Sequence, residues 1–141
     1  MAETSIIRRI GGTFAGMTSG AIVIGVLQKL GHQIYPPPSG LDPTDKEAMK
    51  AAIATVPVEA LVLVLLSYLL GTIVGASTAG WIGRGDRAPV IATTVLLLAT
   101  GMLNLLMVPH PTWFSALCPV VFILGGVIAR RLTRSIGQVN P

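Results

Sequence analysis

From Val58 to Ile82 the chain reads VEALVLVLLSYLLGTIVGASTAGWI, an apolar run whose only charge is Glu59. As a helix it would be about 37 Å long at a rise of about 1.5 Å per residue, enough to cross about 30 Å of hydrocarbon. Its character changes along its length. Leucine and valine dominate the first half, whereas Gly71, Gly75 and Ala79 recur every four residues in the second. In lipid, hydrophobicity no longer separates inside from outside, so small residues at this spacing mark where another backbone comes close. The segment therefore predicts a membrane-spanning helix with a close-packing face.

Three more segments extend the pattern: Ile10–Leu30, Ala88–Val108 and Ala116–Leu132. The last is the shortest, about 25 Å as a helix. The composition agrees, with 141 residues that are 52% hydrophobic and only 11% charged, and a mean hydropathy of +0.74. A soluble domain carries about 25% charged residues to solvate its surface. The expected fold is all-α: a single membrane domain, 1–141, of four transmembrane helices with a short outer interfacial helix before the second span. Arg8 and Arg9 ahead of an apolar stretch suggest a signal peptide, but the stretch is too long for one. Gly31-His32-Gln33-Ile34 offers no small-x-small cleavage site either, so the first span is expected to remain.

Charge sets the expected orientation. Arg8, Arg9, Arg84, Arg87, Arg130, Arg131 and Arg134 fall in regions that four antiparallel spans place on one side. The other side holds Lys29, Lys46 and Lys50, balanced by Asp42, Asp45 and Glu47. The positive-inside rule then predicts cytoplasmic termini, with a tail over 133–141. The net charge of +4 reflects topology and attraction to the lipid bilayer. The basic residues are too dispersed for nucleic acid, which is not an expected partner. Cys118 is the sole cysteine, so no internal disulfide forms.

The outer loop, 31–57, contains YPPPSGLDP, which its prolines keep extended. Thr44 and Glu47 then match a capping box, which predicts a helix starting at Asp45. Pro57 should bend that helix away from the second span. The face Met49, Ala52, Ile53 and Val56 is expected to rest on the membrane surface.

Every span carries a close-packing face. Gly12, Gly16 and Gly20 recur in the first, Gly71, Gly75 and Ala79 in the second, and Gly125 with Gly126 and Ala129 in the fourth. The third presents Thr93, Leu97, Thr100, Asn104 and Val108 as one stripe. These faces suit packing within the chain or against another subunit, in a homo-oligomer or a larger membrane complex.

VPHPTWF, 108–114, raises the question of chemistry, because His110 is one of only two histidines. Its prolines stop one helix and delay the next. With Ser115 as the cap, Pro119 would fall in the first turn, where its missing donor costs nothing. Trp113 suits an interface anchor. His110 should lie level with His32 (just past the first span), with Tyr35 opening the YPPP segment, and with Glu59, one turn into the second span. Two imidazoles and a carboxylate suit a divalent metal, and two histidines a haem iron, but no pair has ligand spacing such as H-x-x-x-H. The simpler reading is a hydrogen-bonded corner with no metal and no cofactor. Glu59 shares a face with Leu63, Leu66 and Leu70, away from the glycines. Asn104 lies deeper and needs a partner on a neighbouring helix. No Ser/His/Asp set, phosphate loop or carboxylate pair is present, so the chain reads as a non-enzyme without catalytic residues.

GHQIYPPPSGLDPTD and NLLMVPHPTWF together resemble a group of small bacterial four-helix membrane proteins. In that group an outer H-x-x-YP-P-x-G-x-D segment pairs with a PHP-x-WF turn. The likeness runs from about Arg8 to Leu132. It implies the same topology in a bacterial plasma (inner) membrane, and motifs that pack on each other, but no activity. The function expected from the whole sequence is an accessory or scaffolding subunit working through its glycine-rich faces. The alternatives are a small oligomeric channel or transporter lined by the Thr93/Thr100/Asn104 stripe, and an outer-face metal- or haem-binding protein.

Overall fold

The computed structural model describes residues 2–42 and 44–134, with side chains from residue 5 onward. Five helices follow in order: α1 (Ala2–Ile34), α2 (Lys46–Ala54), α3 (Val58–Ile82), α4 (Arg87–Met107) and α5 (Thr112–Arg134). All but α2 are long and apolar enough to cross a membrane, and no strand occurs among the described residues. The chain is an all-α, multi-pass membrane bundle with one short additional helix. The four spans alternate in direction. The start of α1, the α3–α4 turn and the end of α5 therefore meet at one arginine-rich end, and the described residues of 35–42 and 44–57 close the other.

The α1–α3 contact is the closest in the bundle. A methyl group added at Gly16 would sit 2.6 Å from the Gly75 carbonyl oxygen, and one at Gly20 would sit 2.9 Å from that of Gly71. One at Gly12 would sit 3.0 Å from the Ala79 carbonyl oxygen. Three antiparallel pairs, Gly12–Ala79, Gly16–Gly75 and Gly20–Gly71, thus bring backbone against backbone. On α5, Gly125 packs against the Thr72 side chain and the Leu69 carbonyl of α3, and Gly126 against the Thr94 side chain of α4. The small faces pack within the chain.

The interior differs between its two halves. Towards the arginine end it holds small residues and one valine, Ala76, Val90 and Ala129. Towards the proline loop it holds Leu61, Leu65, Tyr68, Leu97, Phe114, Cys118 and Phe122. The α1–α3 seam of small residues ends at Gly20 and Gly71. Beyond Gly20, Ile24 still packs against Gly71, and Gln28 reaches Ser67 of α3.

Several boundaries depart from expectation. Helix α1 runs Ala2–Ile34, beyond the expected 10–30 at both ends, and is about 50 Å long. Nothing before Ile10 breaks a helix, and the Tyr35 amide still donates to the Gly31 carbonyl at 2.8 Å. The helix stops where Pro36 disfavours helical backbone at the residue before it. His32 consequently lies in the last turn of α1, not past it. The third span is shifted by one residue from the expected 88–108. The expected 31–57 loop contains α2, whose cap is Asp45 and not Thr44. The Asp45 carboxylate accepts from the Glu47 and Ala48 amides at 3.1 and 3.0 Å. Thr44 is engaged elsewhere, its hydroxyl donating to Asp42 Oδ1 at 2.7 Å. That hydroxyl, with the Thr44 amide, holds the Asp42 carboxyl below its ordinary range. α2 ends at Ala54, so Pro57 separates two helices rather than bending one.

At the other corner α5 starts at Thr112 rather than at 116. Ser115 is then inside the first turn, its amide bonding to the Pro111 carbonyl. Pro119 lies in the helix interior, leaving the Ser115 carbonyl without its usual donor. Helix α5 runs on through Leu132 to Arg134, and residues 135–141 of the expected tail lie outside the described residues. The α3–α4 turn is clamped from both sides. Arg9 of α1 pairs with Asp86, and Arg130 of α5 donates to the Gly85 carbonyl at 2.8 Å. The Ala88 amide, and then Arg9, hold the Asp86 carboxyl below its ordinary range.

Substitution should expose the seam directly. Gly75→Leu is expected to destabilise the bundle by more than the roughly 1–3 kcal/mol of ordinary overpacking, because the obstacle is backbone. Leu66 is 45% exposed on the outward face of α3, and Leu66→Ala should cost no more than about 0.5 kcal/mol. Unfolding in detergent micelles measures both, and similar costs for the two would refute the seam.

Candidate functional site

Where the helices diverge, a cavity of about 600 Å³ opens beneath the proline loop. Leu27, Gln28, Gly31 and His32 of α1 form one wall, and Ala60, Leu61, Leu63, Val64 and Tyr68 of α3 another. Asn104, Val108 and His110 contribute from the α4 side. Pro36–Pro38, Leu41 and the α2 residues Met49, Ala52 and Ile53 roof it, with Thr55 and Val56 following. The face of α2 that carries Met49, Ala52 and Ile53 therefore covers a chamber. Helix length explains this. Asp45 and the break at Thr55–Pro57 leave α2 nine residues, short enough to fold back over the mouth.

The deepest polar group is Tyr68, only 6% exposed. Its ring stacks on Phe122, centroids 5.0 Å apart. Its hydroxyl oxygen accepts from Asn104 Nδ2 at 3.0 Å, which answers the expectation that Asn104 finds a partner on a neighbouring helix. The Gln28 side chain lies within hydrogen-bond reach of the same hydroxyl. Gln28 reaches Ser67 Oγ at 3.5 Å, and the Ser67 hydroxyl donates to the Val64 carbonyl at 2.6 Å.

The histidines do not form one cluster with Glu59. His32 and His110 both border the chamber, whereas Glu59 is exposed and contributes nothing to its lining. No group of three His, Cys, Asp or Glu residues among those described is arranged to hold a metal ion. His110 is a corner residue. Its Nδ1 lies 2.7 Å from the Val108 carbonyl, and a carbonyl only accepts, so Nδ1 carries the proton. The ring stacks on Phe114 at 4.6 Å, nearly parallel. Half-burial holds its pKa below the ordinary 6.5, and the bond to Val108 partly opposes this. No hydrogen bond joins His110 to His32 or Tyr35. Residues of both motifs border a shared chamber. Trp113, 36% exposed, stands edge-on to Phe114 and outside the lining.

The threonine stripe is split. Thr93 and Leu97 are buried, but Thr100 is exposed and its hydroxyl donates to the Leu96 carbonyl. Gly101 takes the inward place, where an added methyl would meet the Phe122 ring. Thr72, Thr94 and Thr133 likewise donate to carbonyls four residues earlier in their own helices. These hydroxyls each donate within their own helix.

The chamber was not apparent in the sequence. Tyr68 carried the one usable signal, because a phenol within an apolar span needs a polar neighbour. The roof depends on how α2 folds back, which no residue pattern states. A comparison with known proteins finds no matching family model, curated protein or solved structure.

Two measurements examine this geometry. A double-mutant cycle on Tyr68→Phe and Asn104→Leu should give a coupling near 0.6 kcal/mol, the average for such bonds in membrane proteins. Zero coupling would mean that the pair is not made. His110 should add a pH-dependent component. Its folded pKa is depressed, so the folded state binds fewer protons than the unfolded chain. Its contribution to stability is complete above about pH 6.5 and is lost as the pH falls through the lower folded value. Acidification to about pH 5 should therefore destabilise the wild type more than His110→Gln, read as unfolding midpoints. Parallel profiles would contradict the burial of His110.

Proposed function

We propose that this chain is a non-catalytic protein of the bacterial plasma membrane that binds a small molecule in the chamber beneath its outer loop. The observation that carries the reading is the chamber itself, with apolar walls, a few convergent polar groups and a volume typical of ligand sites. Its polar residues suit holding rather than reaction. Tyr68, Asn104 and Gln28 offer hydrogen bonds, and no lining serine or cysteine stands beside a base. The arginine-rich end, clamped by Arg9 and Arg130, supports cytoplasmic termini and an outward-facing chamber.

This reading shifts the accessory role from scaffold to binder. The glycine faces that were to meet partners are taken up by α1–α3, α3–α5 and α4–α5 packing. A second copy or a larger complex would have to meet the outward apolar face instead, such as Ile10, Phe14, Ile22 and Val26 of α1. Thr100 and Glu59 are exposed and lie outside the chamber, so the binding reading uses neither.

Orientation and occupancy are tested separately. In a Cys118→Ala background, cysteines at Ser39 and Ala88 should differ, with only Ser39 reacting with an impermeant thiol reagent added outside. The opposite pattern would place the chamber in the cytoplasm. In native mass spectra of protein extracted with its surrounding lipid, the wild type should carry a bound small molecule. Ile53→Trp, which fills the roof, should lose it. Identical spectra for both would count against a binding function.

A further inference from the structure

The lining of the chamber restricts what it can hold. Lys, Arg, Asp and Glu are all missing from the described residues that line it. An ionised ligand would therefore enter a largely apolar space with no opposite charge to meet, which costs several kcal/mol or more. The histidines do not change this. His32 lies at the exposed rim, and His110 is held towards its neutral form by burial.

At the floor the requirement is different. Tyr68 is buried, and its oxygen already accepts from Asn104. What it has left to offer is its proton. That hydroxyl opens onto the chamber between Asn104 and Gln28, so an oxygen at that depth suits the ligand. Along the way up, Leu27, Leu61, Val64, Ile53 and Val56 present only hydrocarbon.

From these observations we infer that the chamber takes an uncharged amphiphile, a largely hydrocarbon molecule whose carbonyl or hydroxyl oxygen accepts a hydrogen bond from Tyr68. This rests on the binding role proposed above. A membrane lipid and a diffusible lipophile share this chemistry. Both keep the oxygen at Tyr68 and lay the chain between α1 and α3, under α2.

Three photoreactive probes with one dodecyl chain and a diazirine test it: a methyl ester, the free carboxylate and a trimethylammonium. Each is added to the full-length protein in nanodiscs, and labelled residues are mapped by mass spectrometry. The ester should label Val64 and Ile53 saturably and be displaced by unlabelled ester. Because a lipid competitor is already present, repeating the assay after delipidation should raise labelling if the natural occupant is a membrane lipid. Unchanged labelling would point to a diffusible lipophile, and either result fits the shared chemistry. The carboxylate and the trimethylammonium should label these residues at least about tenfold less. Tyr68→Phe keeps the ring on Phe122 and should weaken ester labelling about fivefold, without loss of helix content. Labelling by the carboxylate equal to that by the ester would overturn the uncharged-ligand inference while leaving the chamber a binding site. Unchanged ester labelling in Tyr68→Phe would overturn the assignment of Tyr68. If all three probes label Leu66 and the other lipid-facing residues alone, and Ile53→Trp changes nothing, the binding role falls as well.

Discussion

The backbone contact between α1 and α3 is the constraint on which the rest depends. Lipid offers no hydrophobic drive to bring helices together, so closeness itself must supply the attraction through dispersion between backbones. Gly16 and Gly75 permit that closeness because neither carries a side chain, with the Gly75 carbonyl oxygen where a methyl on Gly16 would lie. Three such pairs set both the register and the antiparallel sense. The contact is one-sided, running from Gly12 to Gly20 and stopping there. Past that seam Leu27, Gln28, Leu63 and Tyr68 line the chamber. The chamber is the consequence of where the small residues stop.

The second constraint is that polar groups in hydrocarbon need partners within the protein. Thr72, Thr94, Thr100 and Thr133 find them in their own helices, and so say nothing to a neighbour. Asn104 instead crosses to Tyr68. That bond joins α3 to α4 at the floor of the chamber. Rigid packing at the arginine end and a polar cross-link at the floor leave the loop and α2 as the segment least bound to the bundle.

Much of the fold was legible in the residues, and the reasons are specific. Val58–Ile82 could be bounded to the residue because Pro57 precedes it and Gly83 follows it. The small faces were legible because four-residue spacing has one physical meaning in lipid. The ends of α1 and α5 were not. Ala2–Arg9 and Thr112–Ser115 are helical without being apolar enough to be called spans, and hydropathy reports burial in lipid rather than helix. The cap of α2 was misplaced by one residue, because Thr44 was already engaged by Asp42 and the Asp45 carboxylate could take two amides.

Composition and spacing alone determined that this protein lies in a membrane, how many times it crosses and which faces pack closely. Those properties follow from the length of hydrocarbon and the size of side chains, both of which each residue carries with it. Only the tertiary structure decided that Gly16 meets Gly75, that Tyr68 meets Asn104, and that His32 and His110 face one chamber while Glu59 faces away. Those are pairings between residues far apart in the chain. Several registers satisfy the same local pattern, and the one adopted is the one in which backbone contact, ring stacking and polar partners are all met at once.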